Sequence, residues 1–307
     1  MIRNFLFHRV NPKKELLWGP MELDLFEKHI RYIIKHHEVR LLEEAVFDHK
    51  LPQKKKLATI AFDDGYRDNI EYALDILDKH KIKASFYVVT DCIEKNIPIW
   101  THVLDYTFQH TRINEIDMNF DFLPADCKVT SLPSKKHRIA YVIKLKPFLK
   151  NLTHFNRDKV IERVTGTFTD VVIPGMMMSW QDLSELKSCG HYIGSHTLSH
   201  HILVTMNDEA AIKKELVQSK HIIKEKLGHD PISVAYPNGN YDDKVMALAK
   251  EAGYSMGLTV SERIFNPRKD DLFAIPRIVL YNEPWWKAKL RMSTKLQDIK
   301  KMIRYTG

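Results

Sequence analysis

Short apolar runs alternate with amphipathic segments along most of the chain. Residues 57–62 and 84–89 are almost entirely apolar, as expected for strands that are buried on both faces. Between these runs, apolar residues recur at helical spacing over residues 69–80. This order predicts two parallel strands joined by a helix in a right-handed crossover.

The same alternation extends towards both ends of the chain. We predict further strands at 2–8, 192–194, 232–235, 254–258 and 274–280, and further helices at 22–37, 180–188, 208–227 and 241–252. Repeated strand–helix order predicts a parallel sheet, and its natural closure is a distorted (β/α) barrel. The 307 residues are expected to form one elaborated domain, 1–307.

Two segments depart from this pattern. Residues 91–178 are rich in lysine and have helical patterns near 134–152 and 157–168, which predicts an inserted helical subdomain. It could cap a site, bind a glycan or mediate dimerisation, but decoration of the barrel rim is slightly favoured. Residues 284–304 predict a basic amphipathic helix that packs against the barrel, with peripheral membrane contact as the alternative.

Composition narrows the function classes. With 44% hydrophobic residues the chain can bury a core, yet no apolar run approaches the roughly 20 residues of a membrane span. The first ten residues are too charged for a signal peptide, so we expect a cytoplasmic location. Three scattered cysteines indicate reduced thiols. The net charge of +8 comes without a nucleic-acid motif, so no nucleic-acid partner is expected.

Two motifs indicate a metal site. Asp63 and Asp64 end an apolar run, and His196 and His200 lie in Gly-Ser-His-Thr-Leu-Ser-His far downstream. Adjacent carboxylates repel unless a cation neutralises one of them, which leaves the other free to hold water. One carboxylate and two imidazoles leave coordination positions open, as in catalytic sites. Taken separately, the first motif is an ordinary turn with Asp68 or Asn69 as helix cap, and the second is commonly incidental.

These donors do not fix the identity of the metal. Imidazole and carboxylate accept zinc, cobalt, nickel, manganese and iron, and zinc is the default expectation for one divalent ion. Non-haem iron oxygenases use the same ligand set but do not need a second aspartate.

Taken together, the motifs resemble those of polysaccharide deacetylases of the NodB-homology class, carbohydrate esterase family 4. Residues 61–65 (Ala-Phe-Asp-Asp-Gly) are similar to the first motif of that family, 194–200 to the second, and 235–239 (Ala-Tyr-Pro-Asn-Gly) to a variant of the third. Residues 5–9 (Phe-Leu-Phe-His-Arg) resemble the N-terminal Tyr-His strand of exopolysaccharide deacetylases. The implied fold is a NodB-type barrel, and the insertion at 91–178 lies outside the resemblance.

The resemblance also implies roles for individual residues. Asp64, His196 and His200 would hold the metal, Asp63 would be the general base and His8 the general acid. The third motif implies an oxyanion and substrate-binding segment made of Tyr236, Pro237 and Asn238, in which the main-chain N–H of Asn238 faces the oxyanion.

This chain departs from the third motif in two places. The family usually begins this motif with an arginine that orients the catalytic aspartate, whereas this chain has Ala235; Arg277 is the candidate replacement. The family has tyrosine where this chain has Asn238, which changes the wall against the sugar.

The implied reaction is hydrolysis of an N-acetylated sugar to acetate and a free amino sugar in a cell-surface glycan pathway. A cytoplasmic location would favour a nucleotide-linked or lipid-linked precursor over finished polysaccharide. A deformylase, an O-acetyl esterase or another amidohydrolase could use the same scaffold. A catalytically silent glycan-binding protein that kept the fold is the alternative from a different class.

Overall fold

The computed structural model describes residues 1–48 and 56–293. The strands in these ranges are β1 (Ile2–Phe7), β2 (His37–Val39), β3 (Lys56–Asp64), β4 (Ser85–Val88), β5 (Tyr192–Ser195), β6 (Ser233–Ala235), β7 (Met256–Leu258) and β8 (Ile278–Val279). They pair in parallel in the order β7-β6-β5-β4-β3-β1-β8, while β2 pairs with the N-terminal part of β3.

The sheet curls until its two ends meet. Thr259 N donates to Ile275 O and Ile275 N donates to Gly257 O, both at 2.9 Å, which joins β7 to the segment before β8. The predicted distorted (β/α) barrel is therefore confirmed. The last strand is shorter than the predicted 274–280 because Pro276 has no N–H to donate to a ladder.

Alternation along the strands decides which side chains face the barrel interior. In β1, Phe5 and Phe7 pack outwards under the helices, whereas Ile2 and Leu6 pack inside the barrel. In β3, Ala61 has the same inward direction. The inner face therefore continues, two residues later, into the segments that carry the candidate site.

The helices in the described ranges are α1 (Leu23–His36), α2 (Leu42–Ala45), α3 (Leu74–Lys79), α4 (Thr90–Lys95), α5 (Trp100–His110), α6 (Lys135–Leu149), α7 (His154–Thr167), α8 (Trp180–Ser188), α9 (Glu209–Leu227), α10 (Asp243–Glu251) and α11 (Trp285–Met292). A π-helix, Asn69–Ala73, precedes α3, so the predicted helix at 69–80 consists of two pieces. The sequence patterns did not predict β2, α2, α4 or α5.

Helices α5, α6 and α7 of the insertion surround a hydrophobic cluster of their own. Its members include Phe108, Val142, Leu145 and Val160, together with Ile202 from the segment after β5. The predicted helical stretches at 134–152 and 157–168 correspond to α6 and α7.

The C-terminal helix is covered only in part, because residues 294–304 of the predicted segment lie outside the described ranges. Within α11, the Trp285 ring packs edge-on against His29 and Tyr32 of α1, at 5.4 and 5.6 Å between centroids. Trp286 remains exposed. Within residues 1–48 and 56–293, every helix is too short or too polar to cross a bilayer.

Candidate metal centre and active site

The turn after β3 places two neighbouring carboxylates on the same side. Successive strand residues point in opposite directions, so Asp63 continues the inner face and Asp64 would point away from it. Asp64 and Gly65 instead have left-handed backbones, with φ of 75° and 90°. The alternation breaks there, and both carboxylates approach Nε2 of His196, at 3.7 Å for Asp63 and 3.5 Å for Asp64.

Gly65 makes this turn possible. A Cβ at this position would lie 2.9 Å from Cδ1 of Ile93, and the positive φ would strain any other residue. Steric hindrance and the positive φ therefore explain why the first motif has glycine at this position.

Three buried side chains form a possible cation site. Nε2 of His196 and Nε2 of His200 each lie 3.5 Å from Oδ1 of Asp64. One ligand atom from each of these residues can be chosen so that all three lie within 4.8 Å of one another. Strand β5 ends just before His196. Both imidazoles therefore lie at the C-terminal ends of the strands, here called the barrel mouth, and face the end of β3.

The hydrogen bonds around these residues fit a divalent ion. His196 Nδ1 donates to Ala235 O at 2.7 Å, which leaves the lone pair of Nε2 free for a metal. Asp64 Oδ2 is buried and has no hydrogen-bond donor among the described residues. A buried carboxylate oxygen without a donor is unfavourable unless a cation approaches it. One carboxylate with two imidazoles therefore forms a suitable donor set, without indicating which metal it would take.

Asp63 has a different partner. Arg277 donates from Nη1 to Oδ1 and from Nη2 to Oδ2 of Asp63, at 2.7 and 2.8 Å. Arg277 is fully buried, and its Nε donates to Thr259 O at 3.2 Å. Its guanidinium carbon lies 5.6 Å from the centre of the Tyr87 ring. Arg277, which directly precedes β8, therefore contacts both carboxylate oxygens of Asp63.

These contacts set the charges of the two aspartates. Burial alone would raise the pKa of Asp63, but Arg277 and His196 outweigh it and hold that pKa below its ordinary value. Burial would likewise raise the pKa of Asp64, and the hydrogen bond with His196 and the charge of His200 lower it well below the usual range. Both carboxylates are therefore ionised at neutral pH.

The two histidines respond in opposite directions. Burial lowers the pKa of His196, but Asp63 and Asp64 overcome this effect and raise it. Burial and repulsion from His196 lower the pKa of His200 to about 3. A divalent ion would compete with the proton on His196 for the same carboxylate-lined space.

His8 follows the inner face of β1 and is fixed by the residues after β3. Asn69 Nδ2 donates to His8 O at 2.7 Å. Asp68 accepts hydrogen bonds from Arg9 Nε at 2.9 Å and from Val10 N at 3.4 Å. Neither Asp68 nor Asn69 makes the predicted helix-cap bond, because their side chains hold the chain around His8 instead.

His8 is half-buried and faces an aromatic neighbour. Trp18 lies edge-on to it at 5.4 Å between centroids, from the loop before α1. Burial lowers the pKa of His8 in spite of the opposing charges of Asp64 and Asp63. A cavity of about 220 Å³ adjoins these two rings and extends to Tyr281.

The third motif forms a tight turn after β6. Asn238 has a left-handed backbone with φ 59°. Within residues 1–48 and 56–293 its main-chain N–H has no hydrogen-bond acceptor. Tyr236 is fully buried and its hydroxyl donates to Phe273 O at 3.1 Å, and Pro237 is also buried. The ring of Tyr236 therefore packs in the core, whereas the main-chain N–H of Asn238 has no acceptor within the part of the chain that the structure describes.

Several residues near the site carried no motif in the sequence. Glu215 of α9 accepts hydrogen bonds from Leu198 N at 3.1 Å and Ser199 N at 2.9 Å, and so supports the histidine loop. Tyr87 packs so closely on Gly194 that a Cβ there would lie 2.5 Å from its ring. The inward direction of Tyr87 in an apolar strand was the one available signal. No signal in the sequence pointed to Trp18, Lys150 or Arg157.

With this geometry established, comparison with known proteins identifies the family. The model of the polysaccharide deacetylase family matches residues 50–257. The chain belongs to the polysaccharide deacetylase family. This agrees with the family predicted from the three motifs.

Curated members of the polysaccharide deacetylase family match part of the chain. The poly-beta-1,6-N-acetyl-D-glucosamine N-deacetylase of Staphylococcus aureus (strain MRSA252) is 28% identical over 115 residues, which are 35% of this chain and 39% of that protein. Chitin deacetylase 1 of Cryptococcus neoformans is 31% identical over 108 residues, 35% of this chain and 22% of that protein. The matches therefore span less than half the length of these relatives.

Solved structures of similar proteins cover nearly the whole chain. The Streptococcus pyogenes deacetylase PplD in complex with acetate superposes with a TM-score of 0.61 at 18% identity, over 95% of this chain and 97% of the other. IcaB from Ammonifex degensii gives a TM-score of 0.60 at 16% identity, over 95% and 97%. These likenesses support the polysaccharide deacetylase fold.

Proposed function

We propose that this chain is a metal-dependent hydrolase that removes an N-acetyl group from an N-acetylated sugar or glycan. The observation that carries this proposal is that two adjacent carboxylates have different partners. Asp63 accepts hydrogen bonds from Nη1 and Nη2 of Arg277, whereas Asp64 faces His196 and His200. One carboxylate can therefore help to hold a cation while its neighbour handles a proton.

Asp64, His196 and His200 would hold the divalent ion, with zinc as the default. When bound, such an ion lowers the pKa of water and polarises a carbonyl group. Asp63 accepts the proton of the attacking water, and its lowered pKa keeps it ionised and ready to do so. Arg277 fixes the direction of that carboxylate.

The other steps fall to His8 and Asn238. The main-chain N–H of Asn238 donates to the acyl oxygen as that oxygen gains negative charge. His8 protonates the departing nitrogen as the carbon–nitrogen bond breaks, which releases acetate and a free amine. Burial lowers the pKa of His8, which makes its protonated form a stronger acid.

A β-1,6-linked N-acetylglucosamine polymer is the first substrate to test, because the relative from Staphylococcus aureus is named for it. Nucleotide-linked and lipid-linked N-acetyl sugars are the other candidates. An open cleft of about 470 Å³, lined by Gly239, Tyr241 and Val260 among others, adjoins the third motif and offers room for neighbouring sugars.

Acetate release tests the function directly. The protein is stripped with a chelator, zinc or cobalt is added back, and acetate is measured with the polymer and with nucleotide-linked and lipid-linked sugars. We expect release that depends on the metal and is absent after chelation. Formate from N-formyl sugars, or acetate only from O-acetyl esters, would replace the reaction by deformylation or ester hydrolysis.

A catalytically silent glycan-binding protein is the alternative from another class. The intact Asp63 argues against it, because an ionised carboxylate in a fixed orientation is what the hydrolytic reaction requires of a base. Glycan binding without release of any acyl group, in protein that carries one bound ion, would favour this alternative.

A further inference from the structure

Two basic side chains of the insertion reach the loops that carry proposed site residues. Lys150, at the end of α6, donates from Nζ to Oδ1 of Asn238 at 2.7 Å. Arg157, in α7, donates from Nη2 to Nδ1 of His201 at 3.2 Å, next to His200. The helical insertion is therefore bonded to both the third-motif turn and the histidine loop.

Arg157 is an unusual residue to find in this position. It is fully buried and stacks over the Trp100 ring, with its guanidinium carbon 5.1 Å from the ring centre. Its Nε and Nη1 atoms have no hydrogen-bond partner among the described residues. Burial of an incompletely paired guanidinium is strongly unfavourable. The fold thus retains a costly cation whose hydrogen bond goes to the neighbour of a proposed metal ligand.

The histidine loop needs support from both sides. His200 itself has a left-handed backbone with φ 61°, which is disfavoured for a residue with a Cβ. Glu215 holds the loop before His200 by accepting the main-chain N–H groups of residues 198 and 199. Arg157 holds the loop after His200 through His201. The ligand therefore lies between a contact from the barrel and a contact from the insertion.

The third-motif turn has a similar arrangement. Asn238 also has a left-handed backbone, and its Oδ1 accepts from Lys150 while its Nδ2 donates to Asn240 at 2.8 Å. The neighbouring Lys146 pairs with Asp105 instead. Lys150 therefore directs its charge to a neutral oxygen on the turn that exposes the main-chain N–H of Asn238.

We infer, on the basis of the proposed function, that Lys150 and Arg157 are positioning residues through which the insertion holds these two loops in working geometry. Arg157 fixes the loop of His200 and Lys150 fixes the turn of Asn238. The asparagine that replaces the usual third-motif tyrosine supplies the acceptor that Lys150 needs. The insertion thus acts as part of the site rather than as rim decoration.

Metal affinity tests Arg157 without any turnover. We expect Arg157→Gln to weaken zinc binding about 10-fold in competition with a chromophoric chelator, since loss of its bond to His201 would release the loop that positions His200, and loss of the outer support of a ligand commonly has an effect of this size. His201→Leu, which removes the acceptor and keeps Arg157, should weaken it equally. Arg163→Gln is the matched control, because Arg163 lies on the same helix and donates to Asp117 O at 2.6 Å.

Lys150 is tested by kinetics and by amide exchange. We expect Lys150→Met to lower kcat about 10-fold with little change in KM, since a displaced oxyanion donor acts mainly in the transition state. Amide hydrogen exchange of residues 236–242 should rise about 10-fold in the same variant. Lys150→Arg should restore most of the loss, and Asn238→Ala should remove any further effect of Lys150→Met.

Lys144→Met is the matched control on α6, because Lys144 bonds to Asp126 O away from the site. If zinc affinity in Arg157→Gln and His201→Leu equals that of Arg163→Gln, and amide exchange in Lys150→Met equals that of Lys144→Met, the inference is overturned. Failure of the wild type to release acetate would contradict the proposed function alone, because zinc affinity and amide exchange do not depend on turnover.

Discussion

The barrel mouth and the helical insertion contribute to the same site in different ways. In the mouth, strand geometry places His8, Asp63 and Arg277 on one inner face, so short motifs are enough to identify chemistry. In the insertion, helices α5–α7 form a core of their own and carry no motif, yet Lys150 and Arg157 contact both loops. The motif residues proposed for chemistry were visible in the sequence, whereas Lys150 and Arg157, which are proposed to hold their loops, were not.

Among variants that keep both carboxylates, the largest effect is expected from removing Arg277, which supports the proposed base Asp63. Arg277→Gln should lower kcat/KM about 100-fold, as for loss of effective general base catalysis. Arg277 lowers the pKa of Asp63, so its removal raises that pKa and the carboxylate stays protonated up to a higher pH. The acid limb of kcat/KM should therefore move to higher pH.

A pH profile of kcat/KM for wild type and Arg277→Gln checks this. Arg40→Gln is the control, because Arg40 pairs with Glu38 of β2, which lies beside the start of β3 and not beside its end at Asp63. An unchanged acid limb in Arg277→Gln would mean that the arginine is structural and that the mouth depends on another base.

Substitution of one glycine in the barrel and one in the insertion compares how tightly the two regions are packed. Gly194→Ala places a Cβ 2.5 Å from the Tyr87 ring inside the barrel, and should cost about 1–3 kcal/mol as overpacking does. Gly166 lies in α7 of the insertion, where a Cβ would meet nothing within 4 Å. Gly166→Ala should therefore stabilise by up to about 1 kcal/mol, because alanine loses less entropy in a helix. Urea unfolding measures both, and a similar loss in the two variants would contradict the difference in packing.

Much of the barrel could be predicted because its elements have strong periodicity. The strand at 57–62 and the helix at 180–188 were predicted within two residues. Of the missed elements, β2, α2 and α4 are short, and β2 has three residues whose pairing with β3 no local pattern reveals. Helix α5 is longer, but it lies in the insertion, where no periodic pattern was recognised before residue 134. The contact of Arg277 with Asp63 was anticipated only as a possibility, since it joins residues 214 positions apart. The role proposed for Lys150 could not be predicted, because its partner Asn238 is 88 residues away and nothing in the sequence distinguishes Lys150 from the neighbouring lysines of the insertion.

The smallest effect concerns acid stability of the barrel. His191 is buried, its Nδ1 accepts from Ala84 N at 3.1 Å, and burial together with Lys83 lowers its pKa to about 4. The folded protein therefore binds fewer protons than the unfolded chain between about pH 4 and pH 6.5. The neutral His191 imidazole therefore makes its whole contribution to the free energy of unfolding above pH 6.5, and this contribution is lost as the pH falls through 4.

His191→Asn keeps an acceptor for Ala84 and removes the titration. The fall in Tm between pH 7 and pH 5 should be roughly 1–3 °C smaller than in wild type. His221→Asn, at an exposed position, should leave the fall unchanged. An equal fall in His191→Asn and wild type would show that other groups dominate acid unfolding.

The most direct test of the central claim is bound zinc and acetate release measured together for Asp63→Asn and Asp64→Asn. If the adjacent carboxylates divide the work, Asp63→Asn retains about one equivalent of zinc and loses about 1000-fold in kcat, since it lacks only the general base. Asp64→Asn loses both zinc and turnover, because it lacks a metal ligand. Equal loss of zinc in the two variants, or full turnover in Asp63→Asn, would contradict this division.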